Sequence, residues 1–230
     1  MTKIYCDIAD IPSIKKFTKK KIVKGFTTNP SLMRKAGAKD YLSYCKKIIN
    51  VTNKPISFEV FADNKKEMIE QGIKLSKISK NVYVKVPIIN SKGKFSSGVI
   101  KHLNLKGIKL NITAVYTLEQ VKKILKNINK KTNVIISVFI GRMSDAGIDP
   151  LPIIKKIIKK CKTYKNVRVL WASVREPYNY LESKRVKCDI ITIPPSIIEK
   201  IENFGDKPNK LTKDTVKKFL LDSKNSKFKI

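Results

Sequence analysis

With 230 residues, 42% of them hydrophobic, the chain can bury a substantial core and is too apolar to be disordered. Its formal net charge of +32 first suggests nucleic acid or a membrane surface as a partner. Nearly all of the excess is lysine, however: arginine occurs only at 34, 142, 168, 175 and 185. The lysines are spread through every predicted helix and form no stripe or arm. That pattern argues against nucleic acid, whose readers lean on arginine, and for a lysine-loaded, solvated surface. Cysteines at 6, 45, 161 and 188 form no CxxC pair, and His102 is the single histidine, which weighs against structural zinc and against two-histidine chemistry. Without a signal-like segment or a long apolar span, the expectation is a cytoplasmic protein with no membrane partner.

Short β-like runs alternate with helix-like runs along the whole chain. Strands are expected at 3–7, 22–27, 55–61, 81–88, 107–111, 133–139, 167–172 and 188–193. Helices are expected at 10–20, 39–50, 64–79, 99–104, 117–127, 150–162, 176–184 and 195–203. Residues 28–31, Thr-Asn-Pro-Ser, read as a turn. The helix at 150–162 alternates isoleucine and lysine pairs at helical spacing, so one face is apolar. Eight βα units in this length predict a (β/α)8 TIM barrel filling 1–230 as one domain, with 212–223 as an extra C-terminal helix. A doubly wound open sheet is the competing arrangement, weakened by the absence of GxGxxG after the first strand.

The strand at 81–88, Asn-Val-Tyr-Val-Lys-Val-Pro-Ile, carries a lysine among apolar neighbours. Either Lys85 points to water on a half-exposed strand, or it is buried, where an ammonium is costly unless paired or deprotonated. A neutral buried amine is a nucleophile toward carbonyls, so the second reading makes Lys85 a Schiff-base candidate. Alternation places it on the face of Tyr83 and Pro87, the expected barrel interior.

In such barrels chemistry sits where strands hand over to the following loops. The polar residues there are Asp7, Thr27, Asn29, Glu59, Lys85, Asn111, Thr113, Ser137, Arg142, Ser173 and Arg175, with Phe139 among them. Each has an ordinary role taken alone: Asp7 as a cap, Asn29 as a turn residue, Glu59 as a solvated carboxylate, Ser137 as packing, Arg175 and Glu176 as a surface pair. The barrel frame makes them converge. Two of the five arginines fall in this set, and arginine suits paired hydrogen bonding to a phosphate.

The blocks IYCDIAD, GFTTNPSL, VYVKVPI, IKLNITAVYT, SVFIGRMSD, LWASVREP and CDIITIPPSII resemble, in order, those of the transaldolase family, from residue 3 to about 222. The likeness is to the short subfamily that also holds fructose-6-phosphate aldolases. The resemblance implies a class I aldolase-type (β/α)8 barrel without metal or organic cofactor, acting on sugar phosphates. By that resemblance Lys85 is the Schiff-base lysine and Asp7 the acid/base for the C4 hydroxyl. Asn29 and Asn111 hold dihydroxyacetone hydroxyls, Glu59 and Thr113 place a catalytic water, and Ser137 contacts the C1 end. Arg142, Ser173 and Arg175 take the phosphate side, with arginine charge helping to strip the proton from Lys85. Glu59 and Phe139 resemble transaldolases; the aldolases of the subfamily typically have Gln and Tyr there. Glu176, where the family usually has Asn, and the polar loop 89–98 depart from the pattern. Members of the subfamily are commonly ring-like homo-oligomers, with the C-terminal helix packed on a neighbour. An aldolase releasing dihydroxyacetone, and a non-catalytic barrel that binds polyanions, are the competing readings.

Overall fold

The computed structural model of the protein describes residues 1–226. Eight parallel strands close into a barrel in chain order: β1 (Lys3–Asp7), β2 (Val23–Thr27), β3 (Ile56–Glu59), β4 (Val82–Pro87), β5 (Leu110–Val115), β6 (Val134–Phe139), β7 (Val167–Ala172) and β8 (Ile190–Ile193), with β8 pairing back onto β1. Among the described residues the helices are α1 (Ile11–Thr18), α2 (Pro30–Lys35), α3 (Tyr41–Ile49), α4 (Lys65–Ser76), α5 (Ser97–Leu105), α6 (Leu118–Leu125), α7 (Ile140–Asp145), α8 (Leu151–Cys161), α9 (Tyr178–Arg185), α10 (Pro195–Glu202) and α11 (Pro208–Ser226). Closure of the sheet settles the choice between barrel and open sheet. The C-terminal helix contains the expected 212–223; residues 227–230 of the expected span lie outside the described residues.

Burial falls into two layers. Inside the barrel, Tyr5, Ile135, Leu170, Ala172 and Ile190 pack together with Tyr83 and Phe139. Outside it, the other face of each strand packs on the helices, as with Val84 and Val86 of β4 and Ile112 of β5. Helix α8 shows how sequence drives this. Ile154, Ile157, Ile158 and Cys161 recur at helical spacing and are buried, while Lys155, Lys156, Lys159 and Lys160 face water. Each such isoleucine contributes roughly 1.5–3 kcal/mol relative to an exposed position.

Three local differences from the sequence-based expectation bear on the site. Residues 28–31 start a helix and not merely a turn: Asn29 is the N-cap of α2, its Oδ1 accepting from the Leu32 amide at 2.9 Å, and Pro30 fills the first helical position where no N–H is needed. Strand β5 runs on past Asn111 to Val115, through a register shift between Ile112 and Val115 at which Ala114 has φ +59°. Its polar residues had suggested a strand end, but the upper barrel interior accepts them. A short helix, α7, follows β6 directly and carries Arg142.

Strand register does much of the assembly. Asp7 of β1 pairs with Thr27 of β2, and Glu59, Lys85 and Asn111 lie in one row across β3, β4 and β5.

Candidate active site

Lys85 points into the barrel and is only 7% exposed, in line with its expected face. Its Nζ donates to the Thr28 carbonyl at 2.9 Å and sits 3.1 Å from Glu59 Oε2. The charged group in contact with Nζ is therefore the Glu59 carboxylate, while Arg142 and Arg175 line the same cavity. Glu59 is the last residue of β3, and its amide donates to the Tyr41 hydroxyl at 3.0 Å, which ties the strand end to α3.

Above Lys85 opens a cavity of about 230 Å³ at the C-terminal ends of the strands. Of the twelve residues expected in the site, all but Glu59 and Asn111 line it: Asp7, Thr27, Asn29, Lys85, Thr113, Ser137, Phe139, Arg142, Ser173 and Arg175. A larger depression, about 600 Å³, lies at the opposite end of the barrel around Lys3, Tyr5, Asn133 and Asp189. It holds none of these residues, and barrel chemistry belongs to the other end, so size does not mark the reactive cavity.

Asp7 receives a hydrogen bond from Thr27 Oγ1 at 2.6 Å. Thr27 has thus spent its proton, so in its 2.5 Å contact with Thr192 the latter is the donor. Burial pushes the Asp7 carboxyl above the usual carboxylate range, with the Lys85 charge and the Thr27 hydrogen bond pulling the other way. A carboxyl held partly against ionisation is suited to taking and returning a proton. Sequence reasoning missed Thr192, although it is the one polar residue in the β8 run Ile-Ile-Thr-Ile.

Asn111 lies below the cavity. Its Nδ2 donates to Ser57 Oγ at 2.9 Å and its Oδ1 accepts from Ser137 Oγ at 2.6 Å, a relay running from β3 through β5 to β6. These bonds let Asn111 orient Ser137, which lines the cavity. The Asn29 side-chain oxygen caps α2, and among the described residues its amide nitrogen has no hydrogen-bond partner, on a residue that lines the cavity. Thr113 Oγ1 is buried and has no hydrogen-bond partner among the described residues, on a residue that lines the cavity.

The arginine side of the cavity depends on a close backbone approach. An ideal Cβ on Gly141 would lie 1.6 Å from the Ser173 carbonyl oxygen, so only glycine lets α7 pack against the end of β7. Ser173 itself adopts φ +64°, strain of the kind concentrated at functional sites. Arg142 stands 5.6 Å from the Phe139 ring centroid, and Phe139 meets Tyr116 edge-on at 5.8 Å. Arg175 is held by Asp145, Nε to Oδ1 at 3.2 Å and Nη2 to Oδ2 at 2.5 Å. Its acidic partner is this α7 residue, not Glu176, whose amide starts the turn into α9 by donating to Asn179 Oδ1. No cluster of three or more His, Cys, Asp or Glu side chains that could hold a metal ion occurs among the described residues. None of their helices is long and apolar enough to cross a membrane.

A buried lysine, a carboxyl shielded from water and two arginines gathered at the C-terminal mouth of a (β/α)8 barrel fit an enzyme of the transaldolase-type aldolase class. Over residues 4–230 the chain matches the family described as Transaldolase/Fructose-6-phosphate aldolase, and it belongs to that family. It is 33% identical over 221 residues to a "Probable transaldolase" of Methanococcus maripaludis strain C5, covering 96% of each chain. Similar proteins of the same description occur in Leptospira biflexa, 34% identical over 222 residues and covering 96% and 97%, and in Nitrosopumilus maritimus, 34% identical over 224 residues and covering 96% and 94%.

Proposed function

We propose that the protein is a transaldolase of the cytoplasmic pentose phosphate pathway. It transfers a dihydroxyacetone unit from a ketose phosphate, such as sedoheptulose 7-phosphate or fructose 6-phosphate, to an aldose phosphate. The observation that carries this reading is Lys85 Nζ, buried 3.1 Å from a carboxylate and opening onto a cavity that also holds Asp7. Glu59 can accept the ammonium proton, leaving an amine to attack the ketose carbonyl; loss of water gives the iminium. Asp7 removes the C4 hydroxyl proton as the C3–C4 bond breaks, and the bonding pair enters the iminium to form an enamine. The first aldose leaves. The enamine then attacks the aldehyde of the second aldose phosphate, Asp7 returns its proton to the new hydroxyl, and water releases the product ketose. Arg142 and Arg175, flanking the cavity with Ser173, grip the phosphate and fix the reacting carbonyl relative to Nζ. Phe139 supports transfer over release, because a phenyl ring cannot donate the proton that would free dihydroxyacetone.

The test is borohydride trapping with fructose 6-phosphate, expected to add a three-carbon mass to Lys85. An unmodified lysine would favour the non-catalytic polyanion barrel. Turnover is expected only when erythrose 4-phosphate is supplied; free dihydroxyacetone produced without it would assign the aldolase reaction. The proposal includes a homo-oligomer built through α11, whose large apolar residues are all exposed within one copy.

A further inference from the structure

We propose that the cleft between the β3–α4 loop and the β4–α5 loop is a second oxyanion site, for inorganic phosphate or a phosphate monoester. It goes beyond the transaldolase reading and does not rest on it: the cleft, of about 590 Å³, shares no residue with the catalytic cavity.

Its floor is the start of α5, a nine-residue helix. Ser96, at the N-cap, has φ −76° and ψ 26°, and its side chain makes no capping bond. The amides of Ser97 and Gly98 have no acceptor among the described residues. Ser96 lines the cleft at 6% exposure, and its buried Oγ has no partner, a second polar group left unsatisfied at the same spot.

Lys65 supplies the stronger argument. Its side chain lies across Gly98, so that an ideal Cβ there would fall 2.8 Å from Lys65 Cε and 3.1 Å from Nζ. An ammonium is thus held over the first turn of α5, the positive end of the helix dipole, and it forms no ion pair with any carboxylate among the described residues. Lys65 is exposed to solvent, and an anion seated between its ammonium and the helix start would be attracted by both. The rim agrees. Lys92 and Lys94 line the cleft from a loop tip fixed by the Ile89–Phe95 bridge, by Asn90 Oδ1 accepting both lysine amides at 3.2 and 2.9 Å, and by Gly93 at φ +75°. Asp63, the carboxylate of the lining, has both oxygens taken by Ser91 at 2.7 Å. A tetrahedral oxyanion accepts from the Ser97 and Gly98 amides and from these ammonium groups together, as phosphates do at helix starts.

The experiment is titration of isotope-labelled protein with inorganic phosphate and, separately, with methyl phosphate, against sodium chloride at matched ionic strength, reading the Ser97 and Gly98 amide resonances. Saturable shifts are expected with the phosphates and not with chloride. Lys65→Gln is expected to weaken the binding about tenfold, while Lys155→Gln on the far face of α8 and Arg175→Gln in the catalytic cavity leave the Ser97 and Gly98 response unchanged. Tighter binding of one probe names the occupant as free phosphate or as an ester. Shifts that follow ionic strength alone, or a Lys65→Gln protein that binds as the wild type does, overturn the site.

Discussion

Arg175 and Asp145 are joined by two hydrogen bonds, from Nε and from Nη2, so a carboxylate on α7 holds an arginine that lines the catalytic cavity from the loop after β7. Both side chains are about half exposed, which makes the pair a weak source of stability. Its effect lies in orientation: one edge of the guanidinium is anchored and the other is left for a ligand. Asp145→Asn is expected to raise KM for a sugar phosphate about fivefold with kcat within a factor of two, and to change stability by less than about 1 kcal/mol. A lowered KM would show that Asp145 competes with the phosphate instead of positioning its arginine.

Gly141 couples the same two elements through the backbone. With 1.6 Å between a Cβ and the Ser173 carbonyl, Gly141→Ala forces α7 away from the end of β7. The expected cost is about 2 kcal/mol or more, a Tm lower by roughly 4–8 °C, because no flexible side chain can give way. The displacement moves Arg142 and Ser173 together, so kcat/KM is expected to fall about a hundredfold. Thermal melts and steady-state kinetics on one preparation test both; a stable variant with unchanged kinetics removes the packing argument.

Much of this was legible in the chain. The eight βα units, the interior face of Lys85 and ten cavity residues follow from the alternation of short strands with helices and from the polar residues at strand ends. What was not legible depends on register and on neighbours far apart in sequence. That Glu59 lies beside Lys85 is a consequence of pairing between β3 and β4, and no local pattern encodes it. Asn111 looked like a strand end because polar residues usually close strands, yet β5 continues and turns it into a relay to Ser137. Asp145 was hidden because α7 has only six residues, too few to show a helical period.

Asp7 links the proposed proton transfer to stability. Its carboxyl is pushed above the usual range by burial, so the folded state binds a proton more tightly than the unfolded state does. Above the raised value the buried charge destabilises the fold; below the ordinary carboxylate range both states are protonated and the penalty vanishes. Asp7→Asn mimics the protonated form. It is expected to melt higher than the wild type at pH 7, with the difference shrinking as pH falls through the carboxylate range, while turnover drops by about 10²–10⁴. A difference in melting temperature that grew on acidification would reverse the sign and refute the burial account.

Lys85 and Glu59 form a mostly buried ion pair, and such pairs are costly to break by halves. Lys85→Ala is expected to abolish turnover and borohydride trapping, and to lose about 2–4 kcal/mol by stranding the Glu59 carboxylate. Lys85→Met combined with Glu59→Gln removes both charges and is expected to recover most of that stability without any activity. Denaturant unfolding of the single and double variants separates the two roles. A double variant no more stable than Lys85→Ala would place the lost energy in packing around the Lys85 stem, not in the unpaired charge.

On α11, Val216, Phe219 and Leu220 are spaced i, i+3 and i+4 and are all exposed, with Phe219 at 66%. Three large apolar side chains on one face of a helix that buries no residue within its own copy need a covering surface. A second copy of the chain is the occupant that the proposed homo-oligomer supplies. Light scattering is expected to give a multiple of the 26.2 kDa chain mass. Phe219→Lys with Leu220→Lys is expected to shift the mass to that of one chain while the barrel keeps its fold and its borohydride adduct at Lys85, since neither residue lines the catalytic cavity. A wild-type protein that is already a clean monomer would leave the apolar face of α11 without the partner assigned to it.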